Sequence, residues 1–312
     1  MFALKLSANR HATGFRHAFL NGLLLILVLF FANCSGAQKD DQPGYPLTGE
    51  IIDVVPERGV LIVRHDEIPG YMPAMTMEFV VSPGDLANAK AGQAIRARLI
   101  PTDDTFRLEQ IWPNDKMSRG IIDQTSRKLV EDTSIRGSRA FREVGENLPS
   151  FALYDQNGDV LQADRLRGKK LVINFIYTRC PVPNMCPAAT QRMIQLQAAA
   201  REAEVEDVQL ISITLDPEYD TPGVLRQYAE SYEIDTSNYS FLTGPKQAVI
   251  HLMEQFGILV DEEKGLSAHT LGTVVVDGSG TIRHRVFGSN WMVNDFLQSL
   301  QAIDGAAGSN SE

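Results

Sequence analysis

Residues 178–187 run TRCPVPNMCP and follow directly on the apolar stretch from Leu171 to Tyr177, so two thiols stand at the end of a predicted buried strand. Open α/β sheets place their sites at the carboxyl edge of such strands. Cys180 and Cys186 are six positions apart, which on a regular helix would set them about 240° apart. Pro181 and Pro183 forbid that helix in any case, and the intervening residues must loop. Pro187 suits the first position of a helix, which leaves Cys186 at a helix amino terminus, where exposed N–H groups and the macrodipole favour thiolate. The candidate third group is His269, in Ser267-Ala268-His269-Thr270 just before the apolar run Thr273 to Val276, and only folding can bring it to the cysteines. Two thiolates and one imidazole suit soft or borderline ions, Cu(I) foremost, then Cu(II) and zinc. Taken singly, such a cysteine pair in an exported protein is as readily a structural disulfide, and a lone histidine is as readily a surface or core residue.

A second constellation lies upstream. Residues 65–77 run HDEIPGYMPAMTM. In a strand Met75 and Met77 point to the same face, and the Pro69-Gly70 turn can fold His65 and Met72 over it. Thioethers are soft, uncharged ligands, so these residues suit Cu(I) or Ag(I) rather than zinc or magnesium. A methionine pair is more often core filler. Here, however, Met72, Met75 and Met77 cluster beside a histidine in a chain with 9 methionines.

The elements that must position these groups divide the chain. Five short strands, Leu47 to Val54, Val60 to His65, Met75 to Val81, Ala94 to Leu99 and Phe106 to Trp112, predict a small all-β barrel over residues 47–112. Residues 113–146 are charged and weakly periodic, a connector with room for one helix. From residue 147 to 304, apolar strands alternate with helical stretches, which predicts an α/β domain with a mostly parallel sheet. Asp277-Gly278-Ser279-Gly280 joins its last two strands as a hairpin. Residues 305–312 read as a disordered tail.

The formal net charge of −10 and the absence of a basic stripe exclude nucleic acid as a partner. Residues 1–34 read as an export signal, with a basic start and an apolar run too short for the roughly 20 residues of a membrane span. Its end, Phe-Phe-Ala-Asn-Cys, resembles a bacterial lipobox, which would make Cys34 a lipid anchor on the periplasmic side. Simple cleavage and an uncleaved anchor remain the alternatives. Residues 35–46 are a polar tether. With Cys34 so used, Cys180 and Cys186 would be the remaining thiols in an oxidising compartment, held as a disulfide or by a metal.

Residues 147–304 resemble the Sco/SenC family through Leu148-Pro149-Ser150-Phe151, Gly168-Lys169, Tyr177-Thr178-Arg179-Cys180-Pro181, Asp216-Pro217 with Asp220-Thr221-Pro222, Leu242-Thr243-Gly244 and His269-Thr270. The resemblance implies a thioredoxin-like fold, copper held by Cys180, Cys186 and His269, Asp216 as an auxiliary residue, and a role in assembling the copper site of cytochrome c oxidase. The family's commonest spacing has three residues between the cysteines, and this chain has five. Residues 47–112 resemble CusF-like domains through Ile68-Pro69 and the Pro73 to Met77 run, which implies an OB-like five-stranded barrel with His65, Met75 and Met77 as ligands. Met72 stands where CusF carries a tryptophan cap. The expected function is a membrane-anchored copper metallochaperone whose partner is the copper-bearing oxidase subunit or another copper protein. A thiol:disulfide oxidoreductase working through Cys180 and Cys186, or a copper-resistance protein, is the alternative.

Overall fold

The computed structural model describes residues 44–137, 140–261 and 265–308. The expected export signal, Cys34 and nearly all of the tether lie outside the described residues, as do the last four residues. Among the described residues no helix is long and apolar enough to cross a membrane.

Strands β1 (Tyr45–Val55), β2 (Val60–His65), β3 (Met75–Val80), β4 (Ala94–Pro101) and β5 (Phe106–Pro113) close into a barrel in the order β1-β2-β3-β5-β4. Alternation drives closure: Leu61 and Val63 of β2 and Phe79 of β3 turn into a core shared with Leu47, Ile51, Ile95, Leu99 and Leu108. A bulge between Ile51 and Asp53 lets the long β1 pair with both β2 and β4. Helix α1 (Pro83–Asn88) follows β3, with Ser82 as its cap accepting from the Asp85 N–H at 3.1 Å.

The connector is more ordered than its composition predicts. Asp115 caps α2 (Lys116–Arg136), a helix of 21 residues, by accepting from the Ser118 N–H at 2.8 Å. Its apolar stripe is thin, and Leu129 nonetheless joins the core of the larger domain. Ion pairs from Arg136 to Glu146 and from Asp132 to Arg142 tie it down.

The larger domain continues with a small hairpin, β6 (Ala152–Tyr154) and β7 (Val160–Gln162), then β8 (Lys170–Ile176), α3 (Cys186–Glu202), β9 (Val208–Thr214), α4 (Pro222–Ser231), β10 (Tyr239–Leu242) and α5 (Lys246–Phe256). The short strands β11 (Val260–Asp261) and β12 (Gly265–His269) precede β13 (Gly272–Val276), β14 (Ile282–Phe287) and α6 (Val293–Gly308). The sheet order is β10-β9-β8-β13-β14. Every residue of β8, β9 and β13 is buried, as expected of central strands covered on both faces.

This is the α/β thioredoxin-like architecture, but the sheet is mixed rather than mostly parallel. Strands β8, β9 and β10 run parallel, while β13 runs antiparallel to β8 and β14 antiparallel to β13. The reason is positional. The chain enters β13 beside the carboxyl end of β8, with Thr273 opposite Asn174 and Val276 opposite Leu171. A strand that starts at that edge must run back along β8, and the residues just before it are left beside the β8 terminus.

Candidate metal centre

Strand β8 ends at Ile176, and the chain turns through Tyr177 to Asn184 before α3 begins at Cys186. Cys186 is therefore the first residue of the helix, with Pro187 inside its first turn. Because β13 is antiparallel, His269 arrives at the same sheet edge. The ligand atoms of Cys180, Cys186 and His269 all lie within 4.8 Å of one another, and both cysteines are free thiols. A soft ion with bonds of about 2.3 Å to sulfur would fit among three donors so spaced.

The histidine is set for ligation. Its Nδ1–H donates to the Thr270 carbonyl at 2.9 Å, which leaves Nε2 as the lone-pair nitrogen, 3.9 Å from Cys186 Sγ. Burial also lowers the His269 pKa, and the Thr270 bond opposes this only in part, so the neutral ring is favoured. Tyr177 packs edge-on against the imidazole at 5.5 Å between centroids.

Cys186 differs from its expectation. Backbone N–H contacts do lower its pKa, but burial of a fully enclosed thiol outweighs them and pushes it upward, with the neighbouring Cys180 adding to the rise. Without an ion, Cys186 is a thiol and a poor nucleophile. With one, the proton is displaced.

Asp216 is not among the three gathered donors. It is buried and accepts from Arg179 Nε at 2.7 Å, while the Arg179 guanidinium stacks on Tyr219 at 4.3 Å. Reasoning from the sequence missed Asp220 as the stronger anchor of the cysteine loop. Its carboxylate accepts from the Thr178 N–H at 3.2 Å, the Thr178 hydroxyl at 2.5 Å and the Thr214 hydroxyl at 2.5 Å, and it is fully buried. Burial raises its pKa to about 6, against the pull of those bonds. The Asp-Thr-Pro run was the available signal. Thr221 caps α4, so Asp220 is held where a helix start meets the β8 terminus.

In the barrel, His65 lies directly opposite Met75 in the β2–β3 ladder, and Met77 opposite Val63. Directly opposed residues share a face, and Met77 shares it by period two. His65 is buried, its Nδ1 is 2.7 Å from the Asp66 carbonyl, and its Nε2 is buried with no hydrogen-bond partner. An orphaned buried nitrogen beside thioethers is the feature a soft ion would satisfy. Met72 bridges back to Ile68 and packs against the barrel core, and Met75 is exposed. Tyr71 stacks on Tyr45 at 4.0 Å, so its ring is engaged within the barrel.

Comparison with known proteins bears on both halves. Residues 141–302 match the SCO1/SenC family model, and residues 44–113 match that of the copper binding periplasmic protein CusF. A SCO2-like protein of Rickettsia typhi is 29% identical over 150 residues, which are 46% of this chain and 70% of that protein. A SCO1 protein homolog of Bacillus subtilis is 33% identical over 117 residues, 37% of this chain and 59% of that protein. The solved structure of BsSco, described as a member of the Sco family of cytochrome c oxidase assembly proteins, is 26% identical with a TM-score of 0.46, and covers 52% of this chain and 96% of its own. Copper is the metal named for the CusF family, and both donor sets suit it. With just over half of its 312 residues inside the family model, the chain belongs to the SCO1/SenC family, with a CusF-like domain in front.

Proposed function

We propose that this chain is an exported, membrane-anchored copper metallochaperone. Cys180, Cys186 and His269 hold copper and pass it to the copper-bearing subunit of cytochrome c oxidase, and His65, Met75 and Met77, with Met72, form a second Cu(I) site. The observation that carries the reading is the convergence of two free thiols and an imidazole within 4.8 Å, with the lone-pair nitrogen of His269 facing the buried thiol. Anchoring rests on the apolar run and lipobox-like end of residues 1–34.

Each residue has a separate task. Cys180, on the more open side, offers the thiolate that an incoming carrier or acceptor can reach, whereas Cys186 is enclosed and keeps the ion. The Thr270 carbonyl holds the imidazole tautomer, and Asp220 holds the loop. The ion brings no chemistry beyond its preference for sulfur and nitrogen, since it is cargo. A thiol:disulfide oxidoreductase working through the same two free thiols is the second reading.

Anaerobic Cu(I) titration of the full chain tests the reading. Two bound ions per chain are expected, falling to one in Cys180→Ser and to one in Met75→Leu with Met77→Leu. A chain that binds copper undiminished after loss of Cys180 would overturn it.

A further inference from the structure

Tyr177 reaches all three donors of the cysteine site from one place in the chain. It follows Ile176, the last residue of β8, and is buried. The chain is pinned on either side of it: the Ile176 carbonyl accepts from the Leu215 N–H at 2.7 Å, and the Thr178 N–H is held by Asp220. The Tyr177 backbone N–H donates to the Cys186 sulfur. Its carbonyl accepts from the Cys180 N–H at 3.4 Å, which closes a turn, and its ring meets the His269 imidazole edge-on with centroids 5.5 Å apart. With the backbone and the ring so held, the phenol oxygen stands within hydrogen-bonding reach of the Cys180 sulfur.

Loading the site fixes the direction of that bond. A phenol carries its proton at neutral pH, and burial at Tyr177 strengthens the hold. In the metal-free chain the Cys180 thiol turns its own weak S–H toward the Val182 carbonyl at 3.9 Å. Binding copper breaks the S–H bond, sends the proton to solvent and leaves a sulfur that accepts but does not donate. The Val182 carbonyl then has nothing to receive, whereas the Tyr177 O–H has a charged acceptor, which makes the stronger kind of hydrogen bond. No electron moves in this step. A hydrogen bond to a ligating sulfur draws density away from the metal, one of the levers that divide the affinity of a copper site between Cu(I) and Cu(II).

This rests on the copper reading above. We propose that the Tyr177 hydroxyl donates a hydrogen bond to the copper-bound Cys180 sulfur, which makes Tyr177 a positioning residue that tilts the site toward Cu(I).

The test uses full chains carrying Met75→Leu and Met77→Leu, so that copper loads the cysteine site. Tyr177→Phe deletes the hydroxyl and keeps the ring, its contact with His269 and both backbone bonds. Cu(I) binding, measured anaerobically, is expected to weaken about 10-fold, and Cu(II) binding less. The thiolate-to-Cu(II) absorption is expected to move to longer wavelength, because the sulfur becomes a better electron donor. A fluorinated tyrosine at position 177, whose hydroxyl is a stronger donor, is expected to move the band the other way. Tyr239→Phe deletes another buried hydroxyl, 2.8 Å from that of Ser212, and is expected to leave the band in place. An unmoved band in Tyr177→Phe, an equal shift in Tyr239→Phe, or shifts of the same sign in the Phe and fluorotyrosine chains overturns the inference and leaves the copper reading standing. A parent chain that forms no thiolate-to-Cu(II) band shows instead that the copper reading has failed, and the inference with it.

Discussion

The Nε2 atom of His269 lies 3.9 Å from the Sγ of Cys186, although 83 residues separate the two in the chain. One ends a short strand and the other starts a helix, and the antiparallel placement of β13 along β8 brings the two ends to one edge. An imidazole held by its Nδ1–H and a thiol kept protonated by burial form a receptive but uncharged pair.

Copper binding at this edge should therefore release protons. Replacing His269 with Ala is expected to weaken Cu(I) binding by more than the roughly 10–100-fold that loss of an outer support costs, because a direct ligand goes. Competition titration against a chromophoric chelator measures it, and unchanged affinity would remove His269 from the site.

Asp220 should matter more than Asp216. Asp220→Ala strands the half-buried Thr178 N–H and hydroxyl and the buried Thr214 hydroxyl, so a loss on the order of 2 kcal/mol of stability and about 10-fold in copper affinity is expected. Asp216→Asn breaks an ion pair whose arginine is half exposed, and the expected change is below about 1 kcal/mol. Urea unfolding and copper titration of the two variants would expose the error if their order were reversed.

The barrel histidine invites a different comparison. His65→Leu removes a buried nitrogen without a partner, so stability of the copper-free chain should change by no more than about 1 kcal/mol. The rise in melting temperature on adding one Cu(I) to a Cys180→Ser, Cys186→Ser background should vanish. A persisting rise would place the ion elsewhere.

Domain docking should respond to bulk at Gly84. Gly84→Val drives a side chain into the Gly223 backbone, and the barrel should part from the larger domain. Calorimetry is expected to show two transitions where the parent shows one, with a larger radius of gyration by solution scattering. A single unchanged transition would mean that the contact is dispensable.

Acidity acts on the same contact. Asp85 lies buried between the domains, and that burial, helped by Glu109 and opposed by its Ser82 bond, raises its pKa from 3.8 to about 6. The folded state holds this proton more tightly than the unfolded chain does. The stabilisation is therefore complete below about pH 4 and lost as pH rises through about 6, on the order of 2–3 kcal/mol. Other carboxylates titrate in the same window, so the readout is the difference between parent and Asp85→Asn. Unfolding free energies measured from pH 4 to 7 should converge or cross between the two proteins, and parallel curves would show that Asp85 carries no such linkage.

Much of the protein is legible from its residues alone. Alternation in Leu61, Val63 and Phe79, and continuous apolar runs at β8, β9 and β13, announce a barrel followed by a covered sheet, because burial on one face or two leaves its period in the chain. The softness of the candidate donors is legible too, since it belongs to sulfur and nitrogen wherever they sit. The short strand β10 went unread because four residues carry too little period, and the bounds of the connector's one helix, α2, went unread because its polar face dominates its composition.

What tertiary structure alone decided is direction and environment. The reversal of β13 delivers His269 to the thiols, burial overrides the helix start at Cys186, and Asp220 rather than Asp216 takes the Thr178 hydrogen bonds. The Gly84–Gly223 contact brings the barrel's helix against α4. Each of these depends on distances between residues remote in sequence, and solvation and packing act on those distances, whereas residue type and spacing encode only what neighbours along the chain can do.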